Sequence, residues 1–469
     1  MIPFELNDTT YRNVHFIGIG GVSMSGIAEL LHNHGFHVTG SDVRENKYIN
    51  HLKNVGISVT IGQSAQNIRN QDLFVYTDAI LENNEELQAA RATGRPLMTR
   101  GQFLGQLMKN YPHSIAVSGS HGKSTTTSMI ADILIKTKND PTVLLGGSLD
   151  DIGGNVLSGD GEYFLAEACE YKGNIRYYYP KIAIVLNIDE DHLDYFKDLD
   201  DIVHAFENYM DNLSEDAIAV INADDPNTKT LLEHVRGTAL TYGIENPNAM
   251  YNATNVSFDA VGHPSFTLCF PDGTERDFHL NIIGRFNIRN ACASIISTLA
   301  CGIDLDTIQA GIESYHSLHR RMEYLGDFLG AKVLTDYGHH PAEIQATLEA
   351  LKEQATHKLY CVFQPYTMSR TKTLMNDFAR SFYNCDQAII TKIQIAREID
   401  DGSVRSEELV QRILQNGDDA VYAAEFSDVH AYLESVVKPG DMILTTGCGN
   451  IDELAQELVL LPAPKESCL

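Results

Sequence analysis

The chain has 469 residues, 43% of them apolar and 21% charged, so it can bury several cores and does not read as a disordered chain. Its 35 Lys+Arg against 63 Asp+Glu give a formal net charge of −28, which argues against a nucleic-acid backbone as the main partner, since that needs a basic face. Eight scattered Cys with no CxxC pair exclude a zinc ribbon or a disulfide scaffold and suit a reducing compartment.

The opening MIPFELNDTTYRN lacks the basic-then-apolar pattern of a secretory signal. No apolar run reaches the ~18 residues of a membrane span. A cytoplasmic protein without a membrane span is therefore expected, of about three domains at ~150 residues each.

The first apolar run, Val14–Ile17, leads into the glycine turn Gly18-Ile19-Gly20-Gly21. A helix follows with Ile27, Leu30 and Leu31 on one face and Gly35 as its stop. A second strand, His37–Thr39, ends at Gly40-Ser41-Asp42. Strand, glycine turn, helix, strand and acid make a Rossmann-like opening. Gly18, Gly20 and Gly21 let the backbone approach a phosphate, and Asp42 can reach a ribose. A strict GxGxxG would need Gly at position 23, where Ser23 stands. A bare βα turn, a dinucleotide and a nucleotide-sugar diphosphate therefore all remain open from this segment. The alternation continues through Leu73–Tyr76 and a helix around Glu85–Thr93.

A second strand–turn–helix starts at Ser114–Val117 and places Met129, Ile130, Ile133 and Leu134 on one helical face. Its turn, Gly119-Ser120-His121-Gly122-Lys123-Ser124-Thr125, is a shortened P-loop; the longer form would need Gly where Val117 stands. It still supplies backbone N–H groups, a lysine for the β- and γ-phosphates and a hydroxyl for Mg²⁺. Strands at Tyr163–Ala166 and Ile182–Leu186 end in Glu167-Ala168-Cys169-Glu170 and in Asn187-Ile188-Asp189-Glu190-Asp191-His192-Leu193-Asp194. Carboxylates and an imidazole at strand ends beside a P-loop suit Mg²⁺ held together with phosphate oxygens. Residues 250–280 read as strand with Gly and Pro punctuation.

The last third alternates strongly. Strands are expected at 331–335, 358–363, 387–391, 420–424 and 441–446, with helices at 341–354, 373–383, 406–415, 428–437 and 450–459. Five strands alternating with helices imply a parallel, doubly wound sheet. Asp336-Tyr337-Gly338-His339-His340-Pro341 lies between a strand and a helix; its paired His can bind metal, act as a base or cap the helix. Arg370, after Phe363-Gln364-Pro365, is an anion anchor or a surface ion-pair partner. The βα series restarts near 110 and 320, which divides the chain into 1–110, 111–320 and 321–469.

Taken in order, these segments resemble the Mur ligase family over nearly the whole chain. The resemblance rests on HFIGIGGVSMSGIAELL at 15–31, GSHGKSTTT at 119–127, EACE at 167–170, NIDEDHLDYF at 187–196, GRFNIRNA at 284–291, HRRMEY at 319–324, DYGHHPAEI at 336–344, FQPYTMSRT at 363–371 and TTGCGNID at 445–452. It implies an α/β protein of three domains: a Rossmann-like domain for the UDP-sugar, a central P-loop ATPase domain with a parallel sheet, and a C-terminal Rossmann-like domain for the amino acid. Within the family it points to the branch that joins L-alanine to UDP-N-acetylmuramate in peptidoglycan synthesis, with ATP and two Mg²⁺. A branch that attaches a recycled murein peptide to the same sugar nucleotide shares most of these motifs.

By motif position, the resemblance implies that Lys123 meets phosphate and that Ser124 binds one Mg²⁺. It implies Glu167 and His192 as ligands of the other. Asn287 and Asn290 fall on the adenine side, and Arg321 and Asp336 meet ATP. His339 and Arg370 fall on the amino-acid side, while Gly18, Gly20, Gly21 and Asp42 belong to the UDP-sugar domain. EACEYKGN departs from the common EADESDxSF, which favours Glu167 over Glu170 as the ligand. Tyr366 and Thr367 replace a His and an Arg of the common pattern. Branches adding later residues often carry a carbamylated lysine after the DHxD segment; here Phe206 occupies that helical region and Lys197 comes too early.

Overall fold

The structure is a computed structural model, and it describes residues 3–7, 9–149, 154–192, 195–259, 262–316, 319–352, 354–395, 398 and 400–460. Leu193 and Asp194 of the acidic segment, and Cys468, lie outside the described residues. The chain groups into two compact units. The first comprises Met1–Thr254, Thr267–Phe278 and Arg289–Tyr315; the second comprises Asn255–Phe266, His279–Ile288 and His316–Leu469.

The N-terminal sheet has five strands in the order Ser58–Ile61, His37–Asp42, Asn13–Ile17, Leu73–Tyr76, Leu97–Thr99. All its pairs are parallel. Its centre is apolar on both faces, with Val14, Phe16, Leu73 and Val75 buried on one and Ile17 and Phe74 on the other. The strand order reverses beside Asn13–Ile17, so the glycine turn that follows this strand sits at the switch point, where such sheets bind ligands.

A ten-stranded sheet follows, in the order Glu275–His279, Pro264–Cys269, Tyr251–Phe258, Thr238–Gly243, Ile218–Asn222, Ile182–Val185, His113–Ser118, Tyr163–Glu167, Thr142–Leu149, Gly154–Leu157. The P-loop strand His113–Ser118 pairs in parallel with Tyr163–Glu167 on one side and Ile182–Val185 on the other. Parallel pairing brings all three C-terminal ends to one edge. Both acidic segments therefore flank the P-loop.

The third sheet has six strands, ordered Glu323–Phe328, Ala331–Asp336, Met442–Thr446, Leu359–Phe363, Gln387–Ile390, Ala420–Tyr422. The five expected strands are all present and parallel. The sixth, Glu323–Phe328, is antiparallel to Ala331–Asp336 and carries a bulge between Tyr324 and Gly326. It is an edge strand with only Phe328 buried, so it shows little of the hydrophobic pattern that marks the others. The expected helix 373–383 is also different: the chain makes Met368–Thr373 and then Met375–Ala379. The first of these is fixed by Glu398, which accepts from the backbone N–H of Met368 at 2.5 Å and of Ser369 at 3.1 Å. A cap from 30 residues away is invisible to local periodicity.

Candidate functional site

The P-loop is built by local rules and braced by the neighbouring strand end. Gly122 takes φ +83° and is the N-cap of the helix Lys123–Lys136, with no side-chain cap and no acid in the first turn. The first N–H groups of that helix therefore face outward with a positive dipole end, the arrangement that receives phosphate. Asn187 holds the loop from the side: its Oδ1 accepts from His121 N–H at 2.7 Å and its Nδ2 donates to His121 C=O at 3.0 Å. Asp189 N–H donates to Ser120 Oγ at 2.8 Å, and the Asp189 carboxylate lies 3.2 Å from His121 Nε2. Asn187 and Asp189 are thus loop braces; the sequence showed them only as parts of an acidic run.

Lys123 folds back over the loop. Its Nζ donates to the carbonyls of Gly119 and, at 3.1 Å, Ser120, and stands 3.4 Å from both carboxylate oxygens of Glu170. Burial pulls the ammonium's pKa down, but Glu170, with Cys169, Asp191 and Glu167, outweighs it, so the group is held firmly charged. Glu170 is almost fully buried and also lies 3.7 Å from His192 Nε2. His192 takes φ +56°, packs its ring 4.7 Å from that of Tyr171, and lies 3.6 Å from Asp191. Glu170, Asp191 and His192 offer ligand atoms within 4.8 Å of one another. That set of carboxylate oxygens and one imidazole, beside a phosphate loop, fits a divalent cation.

Glu167 ends its strand half-buried and acts electrostatically on Lys123. The sequence favoured it over Glu170 as a ligand; Glu170 too lies close to both Lys123 and His192. The reason is local. After the strand, Glu170 begins the turn Tyr171–Tyr177, where Lys172 and Gly173 both take positive φ and fold the chain back. Ser124 and Thr125 follow Lys123 in the helix, and Asn290 is buried close to Gly122.

At the N-terminal switch point, Asp42 shapes the glycine turn. Its Oδ2 accepts from Gly20 N–H at 2.8 Å and its Oδ1 from Val43 N–H at 2.7 Å. Asn46 Nδ2 donates to Gly20 C=O at 3.0 Å. The helix Val22–Asn33 starts from Gly21 with no side-chain cap and no acid in its first turn, a second open helix N-terminus. Beneath it lies a buried polar chain that no sequence signal marked. His15 lies 2.7 Å from both Thr39 Oγ1 and Glu86 Oε1, and Ser41 Oγ donates to Glu86 Oε2.

In the second unit, Asp336 ends a strand and accepts from Met322 N–H at 2.9 Å and Gly338 N–H at 2.7 Å. Burial raises its pKa, against the opposing pull of Arg321 and these two N–H groups. Arg320 and Arg321 both lie over the Tyr337 ring, at 4.8 and 5.3 Å. His339 Nδ1 is 3.1 Å from Tyr337 C=O, and its backbone N–H donates to Glu343 at 2.9 Å. Arg370 is half-buried in the short helix Met368–Thr373 and acts electrostatically on Cys448 of the glycine-rich segment after Thr446. Asn287 is buried and donates to Ile283 C=O at 2.7 Å.

Three family models match in succession: the Mur ligase family catalytic domain over 13–112, the Mur ligase middle domain over 117–298, and the Mur ligase glutamate ligase domain over 320–449. A protein named UDP-N-acetylmuramate–L-alanine ligase from Acetivibrio thermocellus is 43% identical over 96% of each chain. One of the same name from Clostridium acetobutylicum is 42% identical, covering 97% of this chain and 99% of that one. Among solved structures, a UDP-N-acetylmuramate–alanine ligase from Thermotoga maritima superimposes with a TM-score of 0.79 at 26% identity, covering 95% of this chain and 98% of that one. A murein peptide ligase from Psychrobacter arcticus shares the fold, with a TM-score of 0.72 at 22% identity, covering 96% of this chain and 99% of that one.

Proposed function

The chain belongs to the Mur ligase family, and on that premise we propose that it joins L-alanine to the lactyl carboxylate of UDP-N-acetylmuramate. ATP drives the reaction and yields ADP and phosphate, a step of peptidoglycan synthesis. The observation that carries this reading is 43% identity over 451 residues to a ligase named for that reaction. The murein peptide ligase is similar at 22% identity, a likeness of fold alone.

A carboxylate is a poor electrophile, so one of its oxygens must become a leaving group. The γ-phosphoryl of ATP moves to that oxygen and ADP departs. The alanine amine, having lost a proton, attacks the acyl carbon, and inorganic phosphate leaves. The loop Gly119–Thr125 cradles the phosphates through its backbone N–H groups, and Lys123 offsets the charge of the transferring group. On ATP approach Lys123 exchanges its loop carbonyls for phosphate oxygens, while Glu170 keeps it charged. Ser124, Glu167 and His192, with Glu170 adjoining, are the residues that would hold two Mg²⁺. The ions' contribution when bound is to neutralise phosphate charge. Asn287, Asn290, Arg321 and Asp336 serve the nucleotide. Arg370 takes the alanine carboxylate, with His339 beside the amino acid, because a guanidinium matches a carboxylate with two parallel donors. Gly18, Gly20, Gly21 and Asp42 serve the UDP-sugar.

The test is ADP release with Mg²⁺ and ATP in four mixtures: no acceptor, sugar nucleotide alone, sugar nucleotide with L-alanine, and sugar nucleotide with the murein tripeptide. Turnover only in the third mixture is expected. Turnover in the fourth but not the third would replace L-alanine by the peptide, and equal ADP release without the sugar would end the ligase reading.

A further inference from the structure

Asp259 and His263 flank the connection between the strands Tyr251–Phe258 and Pro264–Cys269, and His279 ends the neighbouring strand Glu275–His279. All three lie in the second compact unit. Sequence spacing does not join them; the sheet does. Asp259 N–H donates to His263 C=O at 3.0 Å, and Leu280 N–H donates to Pro264 C=O at 3.0 Å. The Asp259 carboxylate is held in turn: its Oδ1 accepts from His263 N–H at 2.9 Å, and its Oδ2 lies 3.1 Å from His263 Nδ1. The His263 ring stands edge-on to that of His279, with centroids 6.1 Å apart. His279 Nδ1 lies 3.0 Å from Ser265 Oγ.

The three side chains offer ligand atoms within 4.8 Å of one another. One carboxylate can neutralise one imidazolium, so an ion pair accounts for Asp259 and His263 and leaves the second imidazole unexplained. A cation accounts for all three. Around a tetrahedral Zn²⁺, bonds of about 2.0–2.2 Å place ligand atoms roughly 3.4 Å apart. Rotation of these partly exposed side chains covers the difference. Two imidazoles with one carboxylate select a borderline-soft ion such as Zn²⁺ over Mg²⁺, which prefers oxygen ligands. The Ser265 contact is the kind of outer hydrogen bond that orients a metal-bound imidazole. The Asp259 side chain is 42% exposed and that of His263 25%, so water reaches the remaining coordination position.

We propose that Asp259, His263 and His279 form a site for a divalent transition-metal ion, with Zn²⁺ the best match, which ties Asp259 and His263 to the end of the strand Glu275–His279. Its donors are separate from the Glu170, Asp191 and His192 set, and the proposal does not rest on the ligase reading.

The experiment is calorimetric titration with Zn²⁺, in excess Mg²⁺, of wild type, His263→Gln, His279→Gln, Ser265→Ala and, as the control at the P-loop, His192→Gln. Wild type should bind a Zn²⁺ equivalent that His192→Gln keeps. His263→Gln and His279→Gln should weaken it by more than the roughly 10- to 100-fold that loss of an outer partner costs, and Ser265→Ala by about 10-fold. Zn²⁺ should raise the melting temperature of wild type and His192→Gln but not of His263→Gln or His279→Gln, because an ion that binds only the folded chain stabilises it. In wild type, the imidazole NMR signals of both His263 and His279 should shift with the first equivalent of Zn²⁺, a readout that needs no variant to fold. Unchanged Zn²⁺ affinity in either His263→Gln or His279→Gln would overturn the proposal. So would imidazole signals of His263 and His279 that ignore Zn²⁺, or a loss of binding confined to His192→Gln, which would place the ion at the P-loop.

Discussion

Two carboxylates three residues apart, Glu167 and Glu170, both act on the P-loop lysine, and their effects can be separated by measurement. Glu170 faces Lys123 at 3.4 Å and His192 at 3.7 Å, and it is the strongest opponent of burial on the lysine's charge. Glu170→Gln keeps the shape and removes that charge, so burial then pulls the lysine's pKa down. The sign follows: the variant loses the charged lysine at a lower pH than wild type. The alkaline limb of kcat/KM for ATP should therefore move to lower pH in Glu170→Gln. In Glu167→Gln, where the lost influence on Lys123 is the weakest of the four, it should stay nearly in place. Loss of a charge-assisted contact worth about 1.5–3 kcal/mol puts the fall in kcat/KM at roughly 10- to 100-fold. Coincident alkaline limbs in the two variants would remove Glu170 from this role. The P-loop itself was legible in the sequence because glycine, lysine and hydroxyl act within one turn. The approach of Glu170 to Lys123 and His192 was not, because it goes with a backbone reversal at Lys172 and Gly173 that leaves no periodic trace.

At the scale of elements, the alternating strands and helices of the first and last thirds were readable because each βα unit buries a continuous apolar strand. What escaped was set by tertiary partners: the antiparallel edge strand Glu323–Phe328 and the helix start at Met368 capped by Glu398. The packing of the helix Arg100–Met108 on the turn Tyr171–Tyr177 is another such feature, and it ties the first sheet's last helix to the segment that carries Glu170. A Cβ on Gly105 would come within 1.8 Å of the Tyr177 carbonyl oxygen, which is backbone and cannot swing away. Gly105→Ala should therefore destabilise the fold by about 3 kcal/mol, the upper end of ordinary overpacking. Gly21→Ala, whose Cβ would meet nothing closer than 3.9 Å, should cost far less. Urea unfolding of the two variants checks this. Equal midpoints would mean that the helix and the turn part without cost.

For the whole molecule, the net charge of −28 sets a repulsive field for ATP and a sugar nucleotide, both anions. The groups proposed to receive them are local: Lys123 and two helix N-termini with no side-chain cap and no acid in the first turn. These act at contact distance, inside the ~8 Å screening length of physiological salt, whereas the acids spread over the surface act beyond it. Salt therefore weakens the repulsion more than the attraction. From low salt to ~0.15 M KCl, at fixed free Mg²⁺, kcat/KM for the sugar nucleotide should hold steady or rise by up to roughly twofold. A basic phosphate-binding protein shows the opposite sign. Replacing Lys123 by Met should leave that salt response in place while lowering its absolute level, since the response comes from distant charges. A steep fall with salt in wild type would show that local cations dominate the approach as well as the bound state. The acidity would then be a matter of the far surface alone.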